Sequence, residues 1–177
     1  MTAAVRRRHG TAGMTLIELC VVVAIMGVLF VMGIASFRRA RLAANEASAI
    51  GSLRTITKGQ FAYAVGCGRG SYATSLVILG TKPGGVTQGY LAEDLGSAVT
   101  VIRDGYRIGM GNGKDGVLNL NDCMGNRTET AYYAFAVPTA SDVGRRAFAT
   151  NQGGGIWERL GEVPPSEPFG PPAEPAH

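Results

Sequence analysis

Histidine is almost missing from this chain. The only two are His9, near the start, and His177, the last residue. The body of the chain therefore has no imidazole for a general base, a Ser-His-Asp triad or zinc ligation. Excess charge is also scarce. The net charge is +4, and Arg6, Arg7 and Arg8 account for most of it. No basic stripe interleaved with aromatics remains to argue for nucleic acid. The three cysteines, Cys20, Cys67 and Cys123, form no C-x-x-C pair, which excludes redox and zinc motifs of that spacing. Glycine is abundant at 26, but without the period of collagen, and no long repeat is evident. It reads as turns in a β-rich domain.

What is present is a long apolar run. From Met14 to Phe37, about 24 residues carry one charge, Glu18. As a helix this rises about 36 Å, against roughly 30 Å for a hydrocarbon core. A lone carboxylate in such a span costs roughly 2.5–3.5 kcal/mol on the insertion scale, so it needs a partner or a purpose. Glu18 lies four residues beyond Met14, about 6 Å along the helix and on the same face. A free amine at Met14 would neutralise it, within the chain or on a neighbouring copy.

Gly13-Met14-Thr15-Leu16-Ile17-Glu18 and the apolar run after it resemble the processing signature of type IV pilins and pseudopilins. The resemblance implies cleavage of a leader, Met1 to Gly13, by a prepilin peptidase. It also implies N-methylation of the new amino terminus at Met14, and filament assembly guided by Glu18. Met14 stands where Phe is usual, and Ala35 where many type IVa pilins carry a helix-kinking Pro. The expected fold is α+β and pilin-like: one long amino-terminal helix, transmembrane in its first half, packed on an antiparallel sheet.

Two plainer readings compete. A secretory signal peptide has a shorter apolar region and a small-x-small site such as Gly33-Ile34-Ala35, but this run is longer and Glu18 interrupts its start. An uncleaved membrane anchor is the other. Arginines flank the span on both sides, Arg6 to Arg8 before it and Arg38, Arg39 and Arg41 after it, so charge does not set orientation. An amino-in topology rests on the resemblance.

No Pro interrupts Met14 to Val65. Leu42, Ala49, Ile50, Leu53, Ile56, Phe61 and Ala64 give an apolar stripe at helical spacing. One helix of about 50 residues follows, stopped by Gly66-Cys67-Gly68. A break near Gly51 is the alternative, although glycine there costs only about 1 kcal/mol. Tyr72 to Leu79 reads as a short helix and Pro83-Gly84-Gly85 as a loop. Val99 to Arg103 and Tyr106 to Met110 read as a hairpin turning on Asp104-Gly105. Val117 to Leu120 and Thr130 to Val137 are strand candidates. Ala147 to Thr150 and Ile156 to Arg159 form a second hairpin. The last residues hold six of the eight prolines and read as a disordered tail. The domains are thus a leader (1–13), a transmembrane half-helix (14–37), a periplasmic or extracellular domain (38–161) and the tail (162–177).

Cys20 reads as a small apolar residue of the run. Under the amino-in topology, Cys67 and Cys123 face an oxidising compartment, which favours a disulfide over two buried thiols. Gly111-Asn112-Gly113-Lys114-Asp115-Gly116 matches G-x-G-x-x-G, but a strand pattern follows where the nucleotide fingerprint needs a helix. The same loop with Asn119, Asn121 and Asp122 offers oxygen ligands, as in pseudopilins that bind calcium, without a recognised calcium spacing. Asn126-Arg127-Thr128 is a formal glycosylation sequon. No other cofactor is indicated.

The expected function is non-enzymatic: a structural subunit of a type IV pilus-like filament, held in the bacterial inner membrane before assembly and in a filament afterwards. The partners implied are prepilin peptidase, other pilin subunits, an inner-membrane assembly platform and the membrane, with no nucleic acid. A pseudopilin of a type II secretion system is the alternative within the class. A membrane-tethered periplasmic binding domain or enzyme is the alternative outside it.

Overall fold

The computed structural model of the chain describes residues 14–85 and 87–176, and of residues 31–33 and 35 the backbone alone. The leader, with Gly13 of the cleavage site, lies outside the described residues. The chain divides into two compact units, Met1–Arg39 and Ala40–His177.

Helix α1 runs from Leu16 to Gly66. Its sequence lacks Pro, and Gly27 and Gly51 have nothing near them that a side chain would meet. The transmembrane half expected for residues 14–37 is corrected. Among the described residues no helix is long and apolar enough to cross a membrane. The pilin-like architecture with a membrane-spanning first half falls with it, and so does single-pass residence in an inner membrane.

In the Ala40–His177 unit, α1 supplies one wall of the core. Ala49, Leu53, Ile56 and Tyr63 are buried among residues of the sheets. The stripe differs from the expected one at its end. Phe61 is 71 % exposed, whereas Gln60 and Tyr63 are fully buried. Gln60 is kept inside by complete satisfaction of its amide. It donates to Ala73 O at 2.8 Å and accepts from Ala73 N at 2.9 Å, as a strand neighbour would. The helix ends with Cys67 N and Gly68 N both donating to Tyr63 O.

Tyr72–Ala73 forms strand β1 rather than the start of a helix. The helix α2 begins later, at Leu76–Gly80, because Ser75 caps it by accepting from Ile78 N. A single turn, α3, follows at Glu93–Gly96. Strands β2 (Thr100–Arg103) and β3 (Tyr106–Asn112) pair through the Asp104-Gly105 turn, whose φ values of 47° and 75° are the positive pair such a turn requires. Then come β4 (Leu118–Asn121), β5 (Arg127–Glu129), β6 (Tyr132–Pro138), β7 (Arg146–Asn151), β8 (Ile156–Leu160) and β9 (Glu174–Pro175). They form two sheets, of order β1-β5-β4 and β2-β3-β6-β7-β8-β9. On β6, Ala134 and Ala136 face the core while Tyr133 and Phe135 alternate outward, half-buried.

Three polar clamps fasten α1 to the larger sheet. Glu46 binds Arg146 Nε at 3.1 Å and accepts from Arg145 N; Arg146 also meets Glu158 at 2.8 Å. Asn45 donates to Val143 O, and Ser48 to Asp104. The Arg146 backbone carbonyl accepts from the buried Tyr106 hydroxyl.

The carboxy-terminal segment is not a disordered tail. It lies on the outer face of β6, β7 and β8, and β9 pairs with β8 through Trp157↔Pro175 and Glu158↔Glu174. Proline density was read as incompatible with pairing. At the edge of a sheet, however, a proline gives up only a donor that would face away, and Ala176 N still donates to Ile156 O.

Candidate functional site

The amino-terminal turn of α1 is built by Thr15. Its carbonyl accepts from Leu19 N at 3.2 Å and its Oγ1 from Glu18 N at 3.3 Å. Thr15-Leu16-Ile17-Glu18 is therefore also a T-x-x-E capping signature, legible in the sequence and overlooked there. Glu18 sits in the first turn, where the positive helix end favours a carboxylate. Every residue from Met14 to Phe30 is exposed, and nearly all are apolar, on all sides of the helix. A helix of that kind needs a cover. Met14 N is a peptide nitrogen in the intact chain, so the charge pair with Glu18 requires cleavage first. Cys20 is the free cysteine, and it is exposed.

A second locus joins the helix end to the small sheet. Cys67 and Cys123 are bonded, with Cα atoms 4.9 Å apart. Cys123 N also donates to Cys67 O. Beside them the Tyr63 hydroxyl donates to Asp122 at 2.7 Å. Asp122 accepts as well from Met124 N, Asn126 N and the Asn126 amide. Burial pushes the Asp122 carboxyl up, but these hydrogen bonds outweigh it and hold it below the usual carboxylate value. Burial, with Asp122 as acceptor, keeps Tyr63 protonated far above its ordinary range. The structure thus turns Asp122 inward, and Asn119 donates to Ser71. Among the described residues no group of three or more His, Cys, Asp or Glu side chains is placed to hold a metal ion. In the sequon, Thr128 is buried and donates to Leu120 O, while the half-buried Asn126 donates its amide to Asp122. The Gly111–Gly116 turn leads into β4, not into a helix.

Glu129 on β5 is a residue that the sequence reading passed over. It is 3 % exposed, and its Oε2 has no hydrogen-bond partner. Tyr72 and Leu118 flank it across the strands. Burial raises its carboxyl above the ordinary value of 4.5. A raised acid stabilises the fold below its unfolded value and loses that contribution as pH rises through the folded one. Glu129→Gln should therefore raise stability at pH 7 by about 1 kcal/mol, within the roughly 1–3 kcal/mol that an unsatisfied buried polar group costs. The gain should vanish near pH 4. Asp122 acts in the opposite sense and only at lower pH, so melting curves of both chains at pH 4, 5.5 and 7 separate the two. An equal gain at every pH would refute the role given to Glu129.

One open cleft of about 810 Å³ is lined by residues between Gly80 and Ser97, with Lys82, Gln88, Tyr90 and Glu93 among them. Its described lining holds a single carboxylate, Glu93. Comparison of the chain with protein families, with curated proteins and with solved structures finds no match in any of the three.

Proposed function

We propose that this chain is a structural subunit of a pilin-like filament, freed from its leader by a prepilin-type peptidase between Gly13 and Met14 and assembled through α1. The observation that supports this most is the exposed helix from Leu16 to Phe30, apolar on every side with one carboxylate in its first turn. Packing identical helices side by side covers that surface in the same way for every copy. Burial of apolar area contributes about 25 cal/mol per Å². Repeating one head-to-tail contact along the stack gives an open helical polymer. Register comes from charge. A carboxylate entering an apolar helix bundle is tolerated only next to a cation, and the amine that cleavage exposes at Met14 of a neighbouring copy supplies one.

Mass spectrometry of the amino-terminal peptide from producing cells tests the first step. The expected peptide begins at Met14 and carries a methyl group on its amine. A mature chain beginning at Met1 or at Ser36 overturns the reading. Gly13→Arg should abolish processing, because a bulky charged side chain keeps the scissile bond out of the peptidase. Imaging of labelled chain then separates a surface filament from a short secretion pseudopilus.

A further inference from the structure

The carboxy-terminal segment is held by a set of side-chain and backbone contacts along its length. Glu167 accepts from Lys114 N at 2.6 Å and from the Asn151 amide at 2.5 Å. Phe169 stacks on Trp157, with ring centroids 5.5 Å apart and planes 19° from parallel, and approaches Tyr133 at 6.3 Å. The Tyr133 hydroxyl donates to Pro165 O. Burial and the nearby Glu167 push Tyr133 up to about 12, so the hydroxyl keeps its proton. Ala173 is buried, and β9 adds to the edge of β8. The cradle comes from β6, β7, β8 and the turn after β3. Its guest is an extended Pro-rich strip presenting one carboxylate and one aromatic ring. Aromatic walls with a few fixed polar groups are the usual chemistry for gripping such strips, whose stiff backbone loses little entropy on docking.

Nothing in this arrangement requires guest and cradle to belong to one molecule. The guest follows the last strand of the main sheet, reaches the cradle through side chains and one added edge strand, and is joined to β8 through Gly161, which takes a φ of 103°. Exchange of such an element between copies makes and breaks the same contacts. We infer that the face formed by Tyr133, Asn151, Trp157 and the Lys114 amide is a binding site for a proline-rich segment carrying Glu-Pro-Phe, and that a second copy of this chain can supply that segment from its own carboxy terminus. The inference adds a subunit link to the filament reading and rests on it only for the crowding that favours exchange. Neighbours in an assembly see each other at roughly millimolar effective concentration, enough for a weak site to fill in trans.

Two full-length variants test it by complementation, both carrying Glu18→Ala and kept in a mild detergent that covers the exposed apolar residues of α1, so that association through that helix plays no part. One has Glu167→Ala and Phe169→Ala, which spoil the segment. The other has Asn151→Ala and Trp157→Ala, which spoil the cradle. Each alone should sediment as a monomer at 100 μM, and the mixture should form a one-to-one complex. No complex from folded variants overturns the exchange, whatever filaments do. A second measurement covers misfolding of either variant. A protease site inserted between Glu162 and Val163 of the otherwise unaltered chain is cut after folding. The released segment should stay bound through gel filtration. A hundredfold excess of synthetic peptide 163–177 lacking Phe169 should displace it at least tenfold less well than the natural peptide, read by mass spectrometry of the isotope-labelled segment that stays with the cut chain. Equal displacement by both peptides, or none by either, overturns the site.

Discussion

Removing the Cys67–Cys123 bond is expected to destabilise the Ala40–His177 unit by about 4 kcal/mol. The two cysteines are 56 positions apart. The chain-entropy relation for a loop of that size gives roughly 4 kcal/mol, and it acts mainly by loosening the unfolded chain. Against a total stability of about 5–15 kcal/mol this is a large share. The native contacts at the site should survive in part, because the Tyr63–Asp122 hydrogen bond and the Cys123 N to Cys67 O bond do not need sulfur. Thermal unfolding of the Cys67→Ser, Cys123→Ser chain should show a melting temperature lower by about 10–20 °C. The unaltered chain in excess reductant should show the same drop. A shift below about 3 °C in both would mean that the bond adds nothing that packing does not already provide.

Glu18→Ala should reduce incorporation into filaments at least about tenfold, equivalent to about 1.4 kcal/mol per subunit contact. The melting temperature of the Ala40–His177 unit should not change. Glu18 has two possible employments, and a second variant tells them apart. As a capping residue it can be replaced by Gln, which suits the T-x-x-E/Q pattern. As the anion that meets a cleaved Met14 amine it cannot, because Gln carries no charge. Glu18→Gln is therefore expected to fail as Ala does. Quantitative immunoblotting of sheared filaments reads the result, with processing at Met14 verified in parallel. Normal assembly of Glu18→Gln would assign the residue to the cap and remove charge register from the mechanism.

Local signals were the legible part of the fold. Asp104-Gly105 located a hairpin because only a few residues accept positive φ at both turn positions. Gly66-Cys67-Gly68 marked the end of α1. The cysteine pair was argued from compartment chemistry and is bonded. The misread parts were set by partners distant in the sequence. Gln60 had no place in the apolar stripe, and it is buried because β1 supplies a donor and an acceptor for its amide. Phe61 looked like core, yet it faces out. Prolines near the end suggested disorder, and part of the cradle that orders them comes from far away in the chain: Lys114 lies 53 positions before Glu167, and the Tyr133 hydroxyl 32 positions before Pro165. The membrane span was inferred from the apolar run and the family resemblance, and it is corrected: among the described residues no helix is long and apolar enough to cross a membrane. Of the candidate site, Thr15 and Glu18 were readable as a pair, whereas Glu129 became visible only when its strand neighbours left one oxygen without a donor.

The bond at the end of α1 also fixes how the chain can carry load. A pull applied along α1 reaches Cys67 and passes through sulfur to Cys123, bypassing everything between them. The intervening loop spans a sequence separation of 56 and would add about 190 Å if it unravelled. While the bond is intact that length is withheld. Strands β1 to β4, helices α2 and α3 and the open cleft lie within the withheld segment. Tension can strip β5 to β9 from the helix, but it cannot draw out the shielded loop, so a stretched molecule keeps a covalently closed remnant from which pairing can begin again.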